Sequence, residues 1–160
     1  SMEIINIFEQ GDGSSITFNK EGFEATEAII DGKKVNLAEY ITENNIDTRL
    51  PLVADYSGAM INISIQNVDA DNGKVVFYAP VLKNTSYKFA QPVGNYVETF
   101  NQYIPGSSEN IVATCNCILN YLYSELEGKR TGDLCGPFTF GEIAYVLVNQ
   151  TLVYLSVVDA

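Results

Sequence analysis

The chain of 160 residues contains no histidine and no tryptophan, and it has few basic residues. Without histidine it has no Ser-His or Cys-His catalytic pair and no histidine ligand for zinc or haem. Nor does it contain an apolar run near the roughly 20 residues that a membrane-spanning helix needs. The N-terminal residues lack the basic and apolar regions of a secretory signal. We therefore expect a soluble, cytoplasmic protein.

Positive charge is scarce, since the chain has nine Lys and Arg residues but twenty Asp and Glu residues, and its formal net charge is −11. A surface of this kind repels phosphate backbones and anionic lipids, whose binding needs clustered Lys and Arg. We interpret the basic pairs Lys33-Lys34 and Lys129-Arg130 as solvated turns rather than binding patches. We expect no nucleic-acid partner and no membrane partner.

The composition and the patterning of the chain predict an α+β fold. Hydrophobic residues make up 46% of the sequence and charged residues 18%, which is typical of a folded domain. Apolar and polar residues alternate over Met60–Val68, which indicates an antiparallel strand, and a turn at Asp69–Gly73 leads to the returning strand Lys74–Val81. The Asp31-Gly32 pair predicts a further hairpin turn. We predict a largely antiparallel or mixed β-sheet with two to three helices packed on it, in a single domain over residues 1–160.

Helix-capping residues mark the first two predicted helices. Asn36, with Glu39 three residues later, predicts the start of a short helix. Asn95 predicts the start of a second helix, with apolar residues that then recur at a period of about 3.6 residues.

The last third of the chain is expected to contain one helix and three strands. A short apolar strand, Asn110–Cys115, is followed by Asn116, which can cap a helix that runs to about Glu127. Two strands, around Phe138–Leu147 and Thr151–Val158, close the chain.

Three cysteines, Cys115, Cys117 and Cys135, are candidates for chemistry. A closed zinc site needs four ligands and no histidine can complete one, so we predict no metal site and no cofactor. Cys115 is expected at a strand end and Cys117 in the first turn of a helix, where a thiol pKa can be lowered and the thiol can become redox-reactive. The alternative is that all three are small buried hydrophobic residues.

Glu142 is a candidate because it lies in the largely apolar stretch Phe138–Ala144, within a tail (Thr131–Ala160) that has no Lys or Arg. A carboxylate in an apolar setting must be hydrogen-bonded, paired or raised in pKa, and such groups cluster at functional sites. The alternative is a structural carboxylate that accepts backbone N–H groups at the bend at Gly141. One carboxylate does not supply the converging pair of a glycosidase, so we predict no catalytic residue.

The residues Gly-Pro-Phe-Thr-Phe-Gly-Glu-Ile-Ala at 136–144, followed by Val-Asn-Gln-Thr-Leu-Val at 148–153, resemble the closing signature of the C-terminal domain of the FIST sensory module. The resemblance covers roughly Leu50–Val158, and residues 2–49 are then a β-rich N-terminal extension with one short helix. FIST modules are intracellular sensory domains that bind small ligands and signal to attached output domains. The resemblance implies a stand-alone sensory or signal-transduction domain without catalytic activity and without the N-terminal FIST half.

The predicted ligand is a small polar metabolite, an amino acid or an amine. Glu142 would accept its hydrogen bonds, Asn116 and Asn149 would orient it, and Phe140 would pack on it. The predicted site consists of Cys115, Asn116, Cys117, Phe140, Glu142 and Asn149.

Two other functions are compatible with the same residues. In the first, the chain is an interaction or structural module whose exposed apolar face pairs with a protein partner or with a second copy in a homo-oligomer. In the second, it is a thiol redox sensor that uses Cys115 or Cys117.

Overall fold

The computed structural model describes residues 1–105, 110–143 and 146–157. The chain divides into two compact units. The middle unit is Phe8–Pro92, and the terminal unit joins Ser1–Ile7 to Val93–Ala160. Over the described ranges, no helix has the length and apolar character needed to cross a membrane.

Within these ranges the chain forms three helices and fifteen strands. The helices are α1 (Leu37–Glu43), α2 (Tyr96–Tyr103) and α3 (Ile118–Tyr123). The strands are β1 (Met2–Ile5), β2 (Ile16–Thr17), β3 (Gly22–Ala25), β4 (Glu27–Ile30), β5 (Lys33–Asn36), β6 (Leu52–Tyr56), β7 (Ala59–Ile63), β8 (Ile65–Asp69), β9 (Lys74–Val81), β10 (Tyr87–Phe89), β11 (Ile111–Cys117), β12 (Phe138–Thr139), β13 (Glu142–Ile143), β14 (Val146–Leu147) and β15 (Leu152–Ser156). Helices combined with antiparallel and mixed sheets confirm the predicted α+β class.

The middle unit contains two antiparallel sheets. Six strands lie in the order β5-β4-β2-β10-β6-β7, and three lie in the order β3-β9-β8. Helix α1 packs on β5 and β9 and buries Leu37, Ala38 and Ile41. The Asn36 side chain accepts the Glu39 N–H at 3.0 Å, which confirms the predicted cap. Asp31 and Gly32 both have positive φ, as the predicted two-residue hairpin turn requires.

An aromatic cluster forms part of the core of the middle unit. The ring of Phe18, which is 1% exposed, packs edge-on against Phe77 and Tyr87, with ring centroids 6.0 and 5.6 Å away. The buried Tyr87 hydroxyl accepts the Leu82 N–H at 2.8 Å and shares a 2.7 Å hydrogen bond with the Tyr56 hydroxyl. Desolvation, with this hydrogen bond, raises the pKa of Tyr56.

The single strand predicted over Met60–Val68 is wrong, because the chain changes sheets at Ser64. Strand β7 pairs with β6 in the six-stranded sheet, whereas β8 pairs with β9 in the three-stranded sheet. Ser64 is fully buried between them, and its carbonyl accepts the Tyr78 N–H at 2.9 Å. Side-chain alternation continues through Ser64, so the sequence pattern does not reveal the break.

The division expected near residue 50 does not coincide with a structural boundary. Strand β6, which begins at Leu52, pairs with β10, and β10 pairs in turn with β2. Segments on both sides of residue 50 therefore share one sheet.

The terminal unit contains a four-stranded sheet in the order β1-β15-β11-β12. The pairing of β11 with β12 is parallel, and the other two pairings are antiparallel. Met2 of β1 lies opposite Leu155 of β15, and the N-terminal ammonium group donates to the Ser156 carbonyl at 2.7 Å. Helix α2 begins as predicted, since Asn95 accepts the Glu98 N–H at 3.3 Å.

The third helix begins later and ends earlier than predicted. Strand β11 continues through Asn116 to Cys117, and α3 ends at Tyr123 rather than near Glu127. The Asn116 N–H donates to the Pro137 carbonyl at 3.1 Å and the Cys117 N–H donates to the Thr151 carbonyl at 3.0 Å. Because α3 begins at Ile118, Cys117 occupies the N-cap position, and the Asn116 side chain instead accepts a hydrogen bond from the Nδ2 of Asn120 at 2.8 Å.

The strand predicted around Phe138–Leu147 is also divided. A bend at Gly141, where φ is +98°, separates β12 from the pairing of β13 with β14. Ala144, Tyr145 and Val158, which belong to the two predicted closing strands, lie outside the described residues.

Candidate functional site

Strand register in the terminal unit places three distant segments side by side. Asn116 of β11 lies opposite Leu152 of β15 on one side and opposite Phe138 of β12 on the other. Thr114 precedes Asn116 by two residues and therefore shares its face of the sheet. The Phe138 ring also packs edge-on against Tyr121 of α3, with centroids 5.2 Å apart. One wall of a pocket is formed by Thr114, Asn116, Phe138 and Leu152.

The loop that follows α3 forms the opposite wall. Residues 129–132 and 134–136 line a pocket of about 220 Å³ together with Thr114, Asn116, Phe138 and Leu152. Leu134 is buried, and the Lys129 N–H donates to the Leu126 carbonyl at 2.9 Å. These contacts fix the loop at both ends. The pocket therefore lies wholly within the terminal unit.

Gly136 brings the loop into direct contact with β11. A side-chain carbon at this position would stand inside the contact distance of the Thr114 carbonyl oxygen and hydroxyl. Only glycine permits this approach without moving the backbone. The first glycine of the FIST-like stretch therefore has a structural role at the edge of the pocket.

The pocket holds the only basic residues of the terminal unit. Lys129 and Arg130 line it, whereas the unit as a whole carries eight acidic residues. Among the described residues that line the pocket there is no Asp or Glu, although Asp133 lies in the same loop. Neither Lys129 nor Arg130 forms an ion pair with any residue that the structure describes. The described lining of the pocket thus includes two solvent-exposed basic residues and no acidic residue, in a strongly acidic chain.

Two neutral polar groups complete the wall formed by the sheet. Asn116 is only 6% exposed, and its Oδ1 accepts from the Nδ2 of buried Asn120 at 2.8 Å. Since the Oδ1 of Asn116 is used in this bond, its Nδ2 group is the part of the side chain that can donate a hydrogen bond to a ligand. The Thr114 hydroxyl oxygen is shielded from solvent and has no hydrogen-bond partner among the described residues. Buried polar groups in native proteins nearly always have partners, so this hydroxyl marks a wall with unused hydrogen-bonding capacity.

The structure does not bring the six residues of the predicted site together on one face. Successive side chains of a strand point to opposite faces, so Cys115 and Cys117 lie on the face of β11 that Asn116 does not share. On that second face the Cys115 thiol lies 3.7 Å from the Thr139 hydroxyl. Cys115 and Cys117 are buried at 9% and 2% exposure, whereas Cys135 is exposed and lines the pocket.

For Cys117, the alternative of a small buried residue fits the structure better than that of a thiol with a lowered pKa. Desolvation by burial raises the pKa of Cys117, and the charge of Glu142 adds to the effect. The backbone N–H groups of Leu119, Asn120 and Gln150 oppose it only in part. A buried thiol with a raised pKa is mostly protonated at neutral pH and is a poor nucleophile.

Glu142 is not in an apolar setting, which corrects the reason for its selection. Its side chain is exposed in β13, and Phe140 beside it is 66% exposed. A lack of Lys and Arg nearby in sequence does not bury a carboxylate, and Glu142 itself is exposed to solvent. Asn149 is fully buried in the predicted turn, and its Nδ2 lies close to Gly141.

Sequence reasoning missed the loop wall of the pocket. Lys129-Arg130 was interpreted as a solvated turn, although it is the only basic pair in the last 68 residues assigned to the terminal unit. That isolation within an acidic segment was the available signal. No group of three or more Cys, Asp or Glu residues in the described ranges is arranged to hold a metal ion.

Comparison with known proteins gives a family but no function. No curated protein and no solved structure matches the chain. Residues 1–158 match a family of unknown function, DUF6976, and the match does not connect the chain to the FIST module. The match extends over nearly the whole sequence and spans both compact units. The chain therefore belongs to the family DUF6976.

Proposed function

We propose that the chain is a small-ligand-binding domain of the sensory or signal-transduction type, and that its ligand binds in the pocket between β11 and the loop at 129–136. The pocket is the observation that supports this function most directly. Apolar surface from Leu134, Phe138 and Leu152 surrounds a few polar groups, as is typical of ligand sites. A volume of about 220 Å³ suits a metabolite the size of an amino acid.

The resemblance to FIST modules supports the sensory class as a hypothesis. Gly136 approaches β11 closely, and Gly141 adopts a positive φ beside Val148. These glycines have structural roles in this chain, and such roles concern the fold rather than one ligand. Three cysteines without a disulfide are consistent with a cytoplasmic location.

We infer that the domain is not an enzyme. The chain has no histidine, and the described pocket lining has no carboxylate, so the commonest general bases are missing from this site. The residues that remain there are suited to binding and to charge recognition.

A thermal-shift screen of amino acids, amines, dicarboxylates, phosphate and uncharged sugars tests the proposal. A ligand at 100 times its Kd should stabilise the fold by about 2.7 kcal/mol, which raises Tm by several degrees. Amide chemical shifts should then change at Thr114, at Asn116 and along the loop. Loss of the effect in Glu142→Gln, with those shifts unchanged, would place the site at Glu142. No stabilising ligand in the screen would count against ligand binding.

A second candidate function is an interaction module, which exposed apolar side chains of the four-stranded sheet favour. Met2 and Leu155 lie opposite each other and are 45% and 44% exposed, and Ile4 on the same face is 37% exposed. Adjacent apolar side chains of this kind often mark interfaces. Light scattering should then show an oligomer that Leu155→Glu dissociates. A strict monomer at high concentration contradicts this candidate.

A further inference from the structure

We propose that the pocket recognises a small anion, through a carboxylate or phosphate group bound by Lys129 and Arg130; this inference rests on the proposed function above. The role predicted for Glu142 favoured an amine-bearing ligand, whereas this pocket favours a negatively charged one. The identity of the lining residues, rather than the charge of the chain as a whole, carries the proposal.

The basic residues of the terminal unit lie together at one pocket. The terminal unit has two basic residues against eight acidic ones, and both basic residues line the same pocket. In the middle unit, Lys34, Arg49 and Lys74 are bound to carboxylates at 2.7 to 3.2 Å, and the other four lysines are in no ion pair with a described residue. Lys129 and Arg130 have no such partner among the described residues, so their charges remain available to a ligand.

Arginine and lysine side chains suit the recognition of an anionic group. An arginine guanidinium matches the two oxygens of a carboxylate or phosphate group, and a lysine adds a point charge. Hydrogen bonds to charged groups contribute roughly twice as much as those between neutral groups. The Nδ2 of Asn116, on the opposite wall, adds a neutral donor from a residue that is more than nine-tenths buried.

The same lining disfavours cations and large polyanions. An amine or another cation would meet two basic residues and no carboxylate among the described lining residues. A polyanion such as nucleic acid would meet the acidic surface of the rest of the chain. A small anion that fits within about 220 Å³ satisfies both restrictions.

The test is an amide NMR titration of the full chain, at low ionic strength, with inorganic phosphate, succinate and putrescine as separate probes. Phosphate or succinate should shift the amides of residues 129–136, Thr114 and Asn116, and putrescine should not. The phosphate and succinate arms distinguish the two anionic groups. The double variant Lys129→Gln/Arg130→Gln should raise the Kd for the anion at least about tenfold, which corresponds to a loss of about 1.4 kcal/mol of binding free energy.

A matched control is Lys20→Gln/Lys83→Gln, which removes two exposed, unpaired positive charges from the middle unit. Both double variants change the net charge equally, so an equal loss of affinity in both overturns the proposal. If the spectrum shows that the Lys129→Gln/Arg130→Gln protein is misfolded, the two single variants are titrated instead. Putrescine or an uncharged ligand bound in the pocket, with no anion binding, overturns the anion inference and leaves the proposed function standing. If no probe binds and, in addition, no ligand from the thermal-shift screen binds, the proposed function and the anion inference are both contradicted.

Discussion

Replacing Gly136 with alanine is expected to abolish ligand binding in the pocket and to lower the free energy of unfolding by about 3 kcal/mol, at the upper end of the range for overpacking. The new methyl group would overlap the backbone carbonyl oxygen of Thr114, which strand pairing holds in place. Since that oxygen cannot rotate away as a side chain could, the loop at 129–136 must move off β11. Lys129 and Arg130 move with it, and the two walls of the pocket separate.

Urea unfolding and the phosphate or succinate titration measure the two effects. The matched control is Gly94→Ala, in the same unit, because a Cβ at that glycine meets no atom within 4 Å. The control should retain both stability and binding. A Gly136→Ala protein as stable as the wild type would show that the loop does not lie against β11 as described.

The second large effect is expected in alkylation rates. In the native protein, iodoacetamide should modify Cys135 on the order of a hundredfold faster than Cys117, if exposure of Cys117 requires a local opening of about 3 kcal/mol. Cys135 is exposed in the pocket loop, whereas Cys117 is 2% exposed and burial raises its pKa. Cys115, at 9% exposure, should react at an intermediate or slow rate.

Mass spectrometry of peptides from a timed reaction resolves the three thiols. Denatured protein serves as the control, and there all three should react at similar rates. A bound phosphate or succinate should also slow the reaction of Cys135, because this residue lines the pocket. Rapid alkylation of native Cys115 or Cys117 would instead favour the thiol-sensor hypothesis.

The features that the sequence predicts correctly are local ones. Asn36 and Asn95 cap helices through hydrogen bonds to residues three positions later, so the whole signal lies within four residues. The turn at Asp31-Gly32 needs only two residues that tolerate positive φ. In each case the residues that make the structure are adjacent in the chain.

Predictions failed where distant partners decide the outcome. Ser64 belongs to a regular alternation, yet the partners of β7 and β8 lie in different sheets. Asn116 has the chemistry of a helix cap, but pairing with Phe138 and Leu152, which are 22 and 36 residues away in sequence, keeps it within β11. These partners cannot be identified from the residues around Ser64 or Asn116.

The candidate site was predictable only in part. Asn116 was predicted as a site residue and does line the pocket. Cys115 and Cys117, which were predicted beside it, lie on the other face of β11 because successive side chains of a strand alternate. The pocket joins β11, β12, β15 and a loop, and no spacing pattern in the sequence relates those segments. Only the isolation of Lys129-Arg130 among acidic residues pointed towards the loop wall.

The pairing of β1 with β15 has a consequence for the order in which the molecule folds. The middle unit lies between these two strands in sequence, so its own contacts are available once residue 92 has been synthesised. Strand β1 is made earlier but must wait for β15, across about 150 residues, before its sheet can close. Contacts so distant in sequence form slowly. Leu152 of β15 lines the pocket, so the proposed ligand site is among the last parts of the chain to form.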